Sequence, residues 1–365
     1  RRWRHTQSPS RPHFDCAPNV AVGQKGIVAP PGVTLHPIEG EAFKIKKTKI
    51  RGEVSRGMIC AEDEIGLGTE HDGIIVLDTD AEIGADANKY FDISRDTIFD
   101  IGLTPNRIDA ASHLGVARDL IAVFAHREVA IDLKRPSVEA FHVDNHDLNI
   151  EVVVEDKAAC PRYSGLTMTG LKVEASPKWL QNKLQAIGLS PINNVVDITN
   201  FVLHETGQPL HAFDAEKIDG RKVLIKMLDE GTPFKTLDEV DRKLSKDDLM
   251  ICNVNQGMCI AGVFGGGDSG VTEASASIFL ESAYFDPKTI RKTAKRHELN
   301  TDASFRFERG ADPNITVYAL KRAAMLLKEI AGGSISSEIV DIYPKKIEDA
   351  QVKFKIGRAS RRDSG

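Results

Sequence analysis

From Val20 to Leu77 the apolar residues come in short runs, KGIVAPPG, TLHPIEG, RGMICAE and GIIVLD, each cut by Gly or Pro. This is the punctuation of short strands and tight turns, and it predicts a small barrel. The pattern changes at Leu114, where apolar residues recur at 114, 117, 120, 121 and 124. That spacing predicts a helix over Leu114–Phe124, behind a Thr-Pro-Asn-Arg turn. Asn149–Val154 is rich in β-branched residues and reads as a strand.

The remainder mixes both periods and predicts an α+β arrangement. Ser176-Pro177 reads as an N-cap and first-turn proline, Trp179, Leu180, Leu184 and Ile187 as an apolar stripe, and Gly188 as the stop. Asn194–Thr206 reads as a second helix with Val195, Ile198 and Val202 inward, closed by Gly207 and Pro209. RKVLIKML, LMICN, MCIAGVF and SIFLESA read as strands. Asp286-Pro287 and Asp312-Pro313 each open a further helix, the last running to Gly332. There is no internal repeat.

Composition narrows this picture. A chain of 365 residues is long enough for two or three domains. Its net charge of −5 does not by itself point to nucleic acid. Two runs are locally basic: FKIKKTKIR holds Lys44, Lys46, Lys47, Lys49 and Arg51, and TIRKTAKRH holds Arg291, Lys292, Lys295 and Arg296. A solvated face is the ordinary explanation of such runs. The five cysteines (16, 60, 160, 252, 259) form no CxxC, which favours a reducing compartment over a disulfide framework or a zinc site. No apolar run approaches membrane-spanning length, and the Arg-rich start lacks the apolar segment of a signal peptide.

Three runs carry candidate chemistry: PINNVVDITNFVLHETGQPLHAFD (191–214), IFLESAYFDP (278–287) and LNTDASFRFERGADP (299–313). Each sets hydrogen-bonding side chains beside backbone-fixing Gly and Pro, which packing alone does not require. His204-Glu205 and His211 do not make a zinc-peptidase pair, because the histidines are seven apart with Gly207 and Pro209 between them. There is no GxSxG elbow, and Gly265–Gly267 lacks the Lys-Ser/Thr of a phosphate loop.

In order and spacing these runs resemble the editing module of bacterial phenylalanyl-tRNA synthetase β subunits. CAPNVAVGQ and FKIKKTKIRGEVSRGMICAEDEIGLG resemble that family's tRNA-binding OB domain, and LTPNRIDAASHLGVARDL its core linker. The resemblance covers roughly residues 16 to 345. It implies a multidomain chain: a truncated OB-like β-barrel (16–93), a helical core linker (94–148) and an α+β editing module (149–345). Residues 1–15 and 346–365 fall outside the family pattern, and RRWRHTQSPSRPHF and GRASRRDSG are basic and aperiodic. The chain therefore reads as a fragment beginning inside the barrel domain. The helix at Leu114–Phe124 would then belong to a core whose other half lies upstream, leaving Leu114, Leu120, Ile121 and Phe124 only partly covered.

The same resemblance implies a cytoplasmic protein that binds tRNA(Phe) and proofreads it by hydrolysing mischarged Tyr-tRNA(Phe). Its partner would be the synthetase α subunit of an α2β2 enzyme. Aminoacylation, with its ATP and Mg2+, would reside in that subunit, and no cofactor is expected in this chain. Carried over position by position, the catalytic places fall on His211, Thr199 and Asn200, and the substrate-binding places on Glu281, Gly265, Thr301 and Ala303. The tRNA-binding places fall on Lys44, Lys46, Lys47, Lys49 and Arg51. Water would attack the ester, positioned by the terminal ribose and by His211 or Thr199, without a covalent intermediate.

Physical chemistry supports part of this independently. Phe and Tyr differ by one hydroxyl, and a site built to bond that hydroxyl rejects the analogue lacking it by about 10⁴ or more. Glu281 closes an apolar strand as an acceptor for such a phenol, and Gly265 would let backbone approach the ring edge. Structural explanations stand beside these. Glu281 would pair with Arg306 or Arg309, His211 would cap a turn, and Thr199 and Asn200 would be polar helix positions. Arg306, Glu308 and Arg309 read as an ion network outside the site. The chain departs from the family at Ser190, commonly Arg, and Gly267, commonly Glu. The rival function is a tRNA-binding and subunit-assembly module without editing activity; a free-standing OB protein fits only residues 16–93.

Overall fold

The computed structural model describes residues 17–353 apart from 39, 51, 69, 70 and 92–95. Cys16, Arg51, the 1–15 leader and the GRASRRDSG tail lie outside the described residues. The chain separates into two compact units, Arg1–Thr97 and Ile98–Gly365.

The strands of the first unit are short: β1 (Lys25–Gly26), β2 (Val28–Ala29), β3 (Thr34–Leu35), β4 (Phe43–Lys44), β5 (Thr48–Ile50), β6 (Glu53–Ser55), β7 (Met58–Ile59) and β8 (Val76–Leu77). They pair as β1–β8, β2–β7, β3–β4 and β5–β6, all antiparallel. Among the described residues these remain separate two-stranded ladders and no barrel closes. Pro30, Pro31 and Pro37 cannot donate to a ladder, which keeps the strands brief. Ile27, Ala29, Leu35, Ile45, Cys60 and Leu77 form the core, and a short helix, α1 (Ala87–Tyr90), follows.

The second unit opens with α2 (His113–His126), whose N-cap Ser112 accepts a hydrogen bond from the Gly115 N–H. Leu120 and Phe124 are 50% and 37% exposed, and Leu114 and Ile121 half-buried, so none of the four is fully covered. Residues 127–148 form no helix or strand and are pinned to the later helix α7 (Thr316–Ile330). Tyr318 donates to the Pro136 carbonyl (2.8 Å), the Arg135 guanidinium lies 3.5 Å over the Tyr318 ring, and Lys328 bonds Asp144 (2.6 Å).

Two five-stranded sheets follow. In the second, β9 (Glu151–Val154) runs parallel to β12 (Lys222–Met227), and the order continues antiparallel through β15 (Leu249–Cys252), β16 (Gly257–Ile260) and β17 (Phe264–Gly265). The first is built on an eight-residue antiparallel ladder between β10 (Arg162–Thr169) and β18 (Ser277–Tyr284). The strand β11 (Leu210–Asp214) extends it beyond β18, while β19 (Ser334–Ile335) and β20 (Val340–Ile342) both pair with β10. A side hairpin joins β13 (Pro233–Lys235) to β14 (Asp241–Lys243).

Alternation along β10 and β18 divides two cores. Tyr163, Phe279 and Ala283, with Phe213 of β11, pack with Val223, Ile225, Ile251 and Ile260 of the second sheet. Leu166, Met168, Ala212, Ile278 and Leu280 face α3 (Lys178–Ala186), α4 (Asn194–Thr206) and α7 through Leu180, Leu184, Val195, Ile198, Val202 and Leu320. Each such large apolar side chain contributes about 1.5–3 kcal/mol on burial. The first sheet is thus buried on both faces, between a second sheet and a helical layer.

Four local expectations are corrected. Pro177, not Ser176, holds the N-cap position of α3, because the Ser176 hydroxyl turns to Asp197 (2.5 Å). Trp179 and Ile187 lie at the surface rather than in the stripe; Trp179 meets Phe201 edge-on at 5.6 Å. MCIAGVF is two strands, because Gly262 turns the chain at φ 66° and β17 folds back on β16. The last helix begins at Thr316, since Asp312 accepts from the Asn314 N–H in a separate turn.

Candidate active site

Three neighbouring strands place Gly165, Glu281 and His211 in one cross-strand row. Directly paired residues share a face, so Glu281 and His211 both point into the core between the sheets. Glu281 is only 5% exposed. Its Oε2 accepts a hydrogen bond from the Tyr163 hydroxyl at 3.1 Å, and Oε1 has no hydrogen-bond partner among the described residues. Burial pushes the carboxyl pKa up to about 8, and the Tyr163 bond opposes the rise. Burial also raises the Tyr163 phenol and the thiols of Cys160 and Cys259, with Glu281 adding to each, so all three stay protonated near neutrality.

Glu281 therefore does not pair with Arg306 or Arg309. The Arg306 guanidinium bonds the Asp302 carboxylate (2.9 Å) and the carbonyls of Asp302 and Ala111, while Arg309 pairs with Glu308.

The His211 ring packs edge-on to Phe213 at 4.4 Å. Its Nε2 is shielded from solvent and has no partner among the described residues. Burial lowers its pKa to about 4, which keeps the imidazole neutral. Beside it lies Gly265: a Cβ there would stand 3.3 Å from His211 Cε1 and 2.8 Å from Leu237 Cδ1. The missing side chain leaves room for ring and backbone to meet.

The other expected positions are placed differently. The Thr301 hydroxyl caps α6 (Asp302–Phe307), accepting from the Ser304 N–H (3.0 Å) and donating toward the Val263 carbonyl (3.0 Å). Ala303 packs against the inter-sheet core from the first turn of α6. Thr199 is buried on α4 with its hydroxyl bonded back to the Val196 carbonyl (2.7 Å), and Asn200 is half-buried on the same helix. The fold thus gathers Glu281, His211 and Gly265; no hydrogen bond among the described residues joins Thr199, Asn200 or Thr301 to them.

Tyr163, Gly165 and Phe279 were missed by sequence reasoning. RYSGLTMT shows no clean apolar–polar alternation and is buried nearly throughout, so only the register of the folded strand sets the phenol and the glycine on one face. A cavity of about 470 Å³ lies nearby, lined by Lys217, Asp219, Phe234, Asp241, Gly266 and Gly267, among others, but by neither Glu281 nor His211.

His204 sits away from His211, on α4, where its Nδ1 faces Arg306 Nη2 at 3.4 Å. Burial, then Arg306, lowers its pKa to about 4. No three His, Cys, Asp or Glu residues gather to hold a metal among the described residues. The N–H groups of Gly266 and Gly267 are bonded to the Met258 and Lys235 carbonyls, so this glycine run is no phosphate cradle. Lys44, Lys46, Lys47 and Lys49 are all exposed around buried Ile45, and Arg291, Lys292 and Lys295 are exposed on α5 (Pro287–His297). Cys60, Cys160, Cys252 and Cys259 are free and buried. Among the described residues no helix is long and apolar enough to cross a membrane.

Comparison with known proteins gives these features a family. Residues 159–332 match the B3/4 domain model. The β subunit of phenylalanine–tRNA ligase from Bacteroides fragilis is 61% identical over 338 residues, 93% of this chain and 41% of that protein. The corresponding subunit of Porphyromonas gingivalis is 55% identical over 91% of this chain and 40% of its own length. That of Salinibacter ruber is 45% identical over 94% and 42%. A crystal structure of an N-terminal fragment of the phenylalanyl-tRNA synthetase β subunit from Pyrococcus horikoshii matches 71% of this chain and 70% of that one, at 14% identity and a TM-score of 0.37, too distant a likeness to argue from. The chain spans about 41% of the length of the first of these relatives. Over the stretch that it spans, the chain belongs with the β subunits of phenylalanine–tRNA ligase.

Proposed function

We propose that this chain is the proofreading part of a phenylalanine–tRNA ligase, hydrolysing tRNA(Phe) mischarged with tyrosine. The observation that carries the reading is the Glu281–His211 pair: two polar side chains in register between sheets, with His211 Nε2 buried and unpartnered and Glu281 Oε1 making no hydrogen bond among the described residues. An unpaired buried polar group costs about 1–3 kcal/mol, a cost that a ligand supplying the missing bond relieves. That cost applies to His211 Nε2; at Glu281 Oε1 a tyrosyl hydroxyl donates a hydrogen bond that phenylalanine cannot make. His211, kept neutral by burial, receives a hydrogen bond at Nε2 from the attacking water. The water oxygen bonds to the ester carbon, the bond to the ribose oxygen breaks, and that oxygen takes the proton. Gly265 leaves room at the ring edge, while Thr301 and Thr199 act by holding backbone.

The first unit goes with this reading as an OB-like tRNA-binding module, with Lys44, Lys46, Lys47 and Lys49 as its exposed cations. The α subunit is the partner that charges tRNA with ATP and Mg2+, and the compartment is the cytoplasm. Deacylation of Tyr-tRNA(Phe) by the assembled enzyme tests the reading. Glu281→Ala lowers it by about 10²-fold and leaves phenylalanine charging intact. Equal loss of both activities overturns it.

One observation favours the rival reading, a tRNA-binding and assembly module without editing. The hydroxyls of Thr199 and Thr301 are already bonded to backbone. Under that reading the unsubstituted enzyme does not deacylate Tyr-tRNA(Phe) at all.

A further inference from the structure

Glu281 is not an open carboxyl waiting for a phenol, because one phenol already holds it. Tyr163 is fully buried, and its hydroxyl donates to Oε2 at 3.1 Å. Its position follows from the ladder: Tyr163 pairs with Ala283 and Gly165 with Glu281, so the Tyr163 side chain reaches Glu281 diagonally along one face. Gly165 brings no side chain into the row, and the Phe279 ring lies in that space; a Cβ on Gly165 would stand 2.4 Å from Phe279 Cζ. Phe279 lies on the same strand face with its ring over Gly165, Tyr163 occupies Oε2, and His211 stands opposite on β11. Oε1 is left as the single unpartnered oxygen.

We propose that Tyr163 is a specificity-determining positioning residue, an internal phenol that fixes the Glu281 carboxyl so that Oε1 alone is presented to a p-hydroxyphenyl ligand. This rests on the reading of Glu281 as the group that recognises the tyrosyl hydroxyl. A carboxyl has acceptor positions for several donors, so two phenols bind it at once, one internal and one from the substrate. With Oε2 occupied, the carboxyl has one orientation and one vacancy. Without Tyr163 both oxygens are unpartnered, the group rotates, and a ligand without a hydroxyl is penalised no more at one oxygen than at the other. Tyr163 thus sharpens the difference between tyrosine and phenylalanine without touching either.

The test uses Tyr163→Phe, which keeps the ring and its packing, in the assembled enzyme, alone and combined with Glu281→Ala. The single change is expected to raise KM for Tyr-tRNA(Phe) deacylation roughly ten-fold with kcat little altered, the loss of about one hydrogen bond. Losing a bond that lowers the Glu281 pKa also moves whatever step of the pH profile Glu281 sets to higher pH. In the Glu281→Ala background, Tyr163→Phe has no further effect, because Tyr163 acts through Glu281. Multiplicative losses in the double variant, or an unchanged KM in Tyr163→Phe when Glu281→Ala is impaired, overturn the inference alone. Unimpaired deacylation by Glu281→Ala overturns the recognition reading, and this inference with it.

Discussion

Glu281 and His211 stand opposite each other on adjacent strands, and the same exclusion of water moves their proton affinities in opposite directions. Burial raises the Glu281 carboxyl from 4.5 to about 8 and lowers the His211 imidazole from 6.5 to about 4. Both groups are therefore neutral near pH 7, which is how a dry core tolerates an acid facing a base. The signs set the pH dependence of stability. Below pH 4.5 Glu281 is protonated in both states, and its contribution is fully present. As pH rises toward 8 only the unfolded chain ionises, and stability falls by up to about 1.4 kcal/mol per pH unit. His211 is the mirror case: its contribution is present above pH 6.5 and lost as pH falls through about 4. Glu281→Gln should flatten the fall between pH 5 and 8, and His211→Asn the fall between pH 6.5 and 4. Denaturant unfolding across that range measures both. A slope unchanged by Glu281→Gln would mean that the carboxyl is ionised in the folded protein.

At the scale of the element, the β10–β18 ladder is the part most exposed to small changes. Gly165→Ala puts a methyl 2.4 Å from Phe279 Cζ in a fully packed core. The ring must shift, and stability should fall by about 1–3 kcal/mol. A denaturant midpoint equal to that of the unsubstituted chain would show that Phe279 has free space. Thr301 makes a second element-scale case. As the N-cap of α6, its replacement by Ala should cost about 0.5–2 kcal/mol, whereas Thr301→Ser keeps the cap. Deacylation lost in both variants would instead place the Thr301 methyl in contact with substrate. These elements differ in how well they can be read from sequence. The helices α4 and α5 are legible because Asn193 and Asp286 cap them, with Gly207 ending the first and Pro287 opening the second. The strands β10 and β11 are not, because RYSGLTMT and LHAFD carry polar residues on faces that tertiary packing buries. The carboxyl, the imidazole and Gly265, which the fold brings together, were all named from the sequence; the phenol holding the carboxyl lay on a strand that no periodicity announced.

For the molecule as a whole, the electrostatics are local rather than global. A net charge of −5 repels a polyanion at long range, so any RNA affinity must come from a patch. The first unit offers one around β4 and β5. Ile45 turns into the core and anchors the stretch, while Lys44, Lys46, Lys47 and Lys49 stay exposed. Burial of one apolar residue thus holds four cations at the surface. Phosphate contacts made by such side chains release counterions, each adding about 0.7–0.9 to the log–log slope of affinity against salt. Replacing Lys46, Lys47 and Lys49 together with Ala should weaken tRNA(Phe) binding by the assembled enzyme and reduce that slope by about two to three. Binding titrations at several salt concentrations measure both quantities in one experiment, and the slope separates the two explanations of the basic run. Direct contacts lower it by nearly one for each lysine removed. A solvated face leaves the slope unchanged, and an unchanged slope would move RNA recognition away from the first unit.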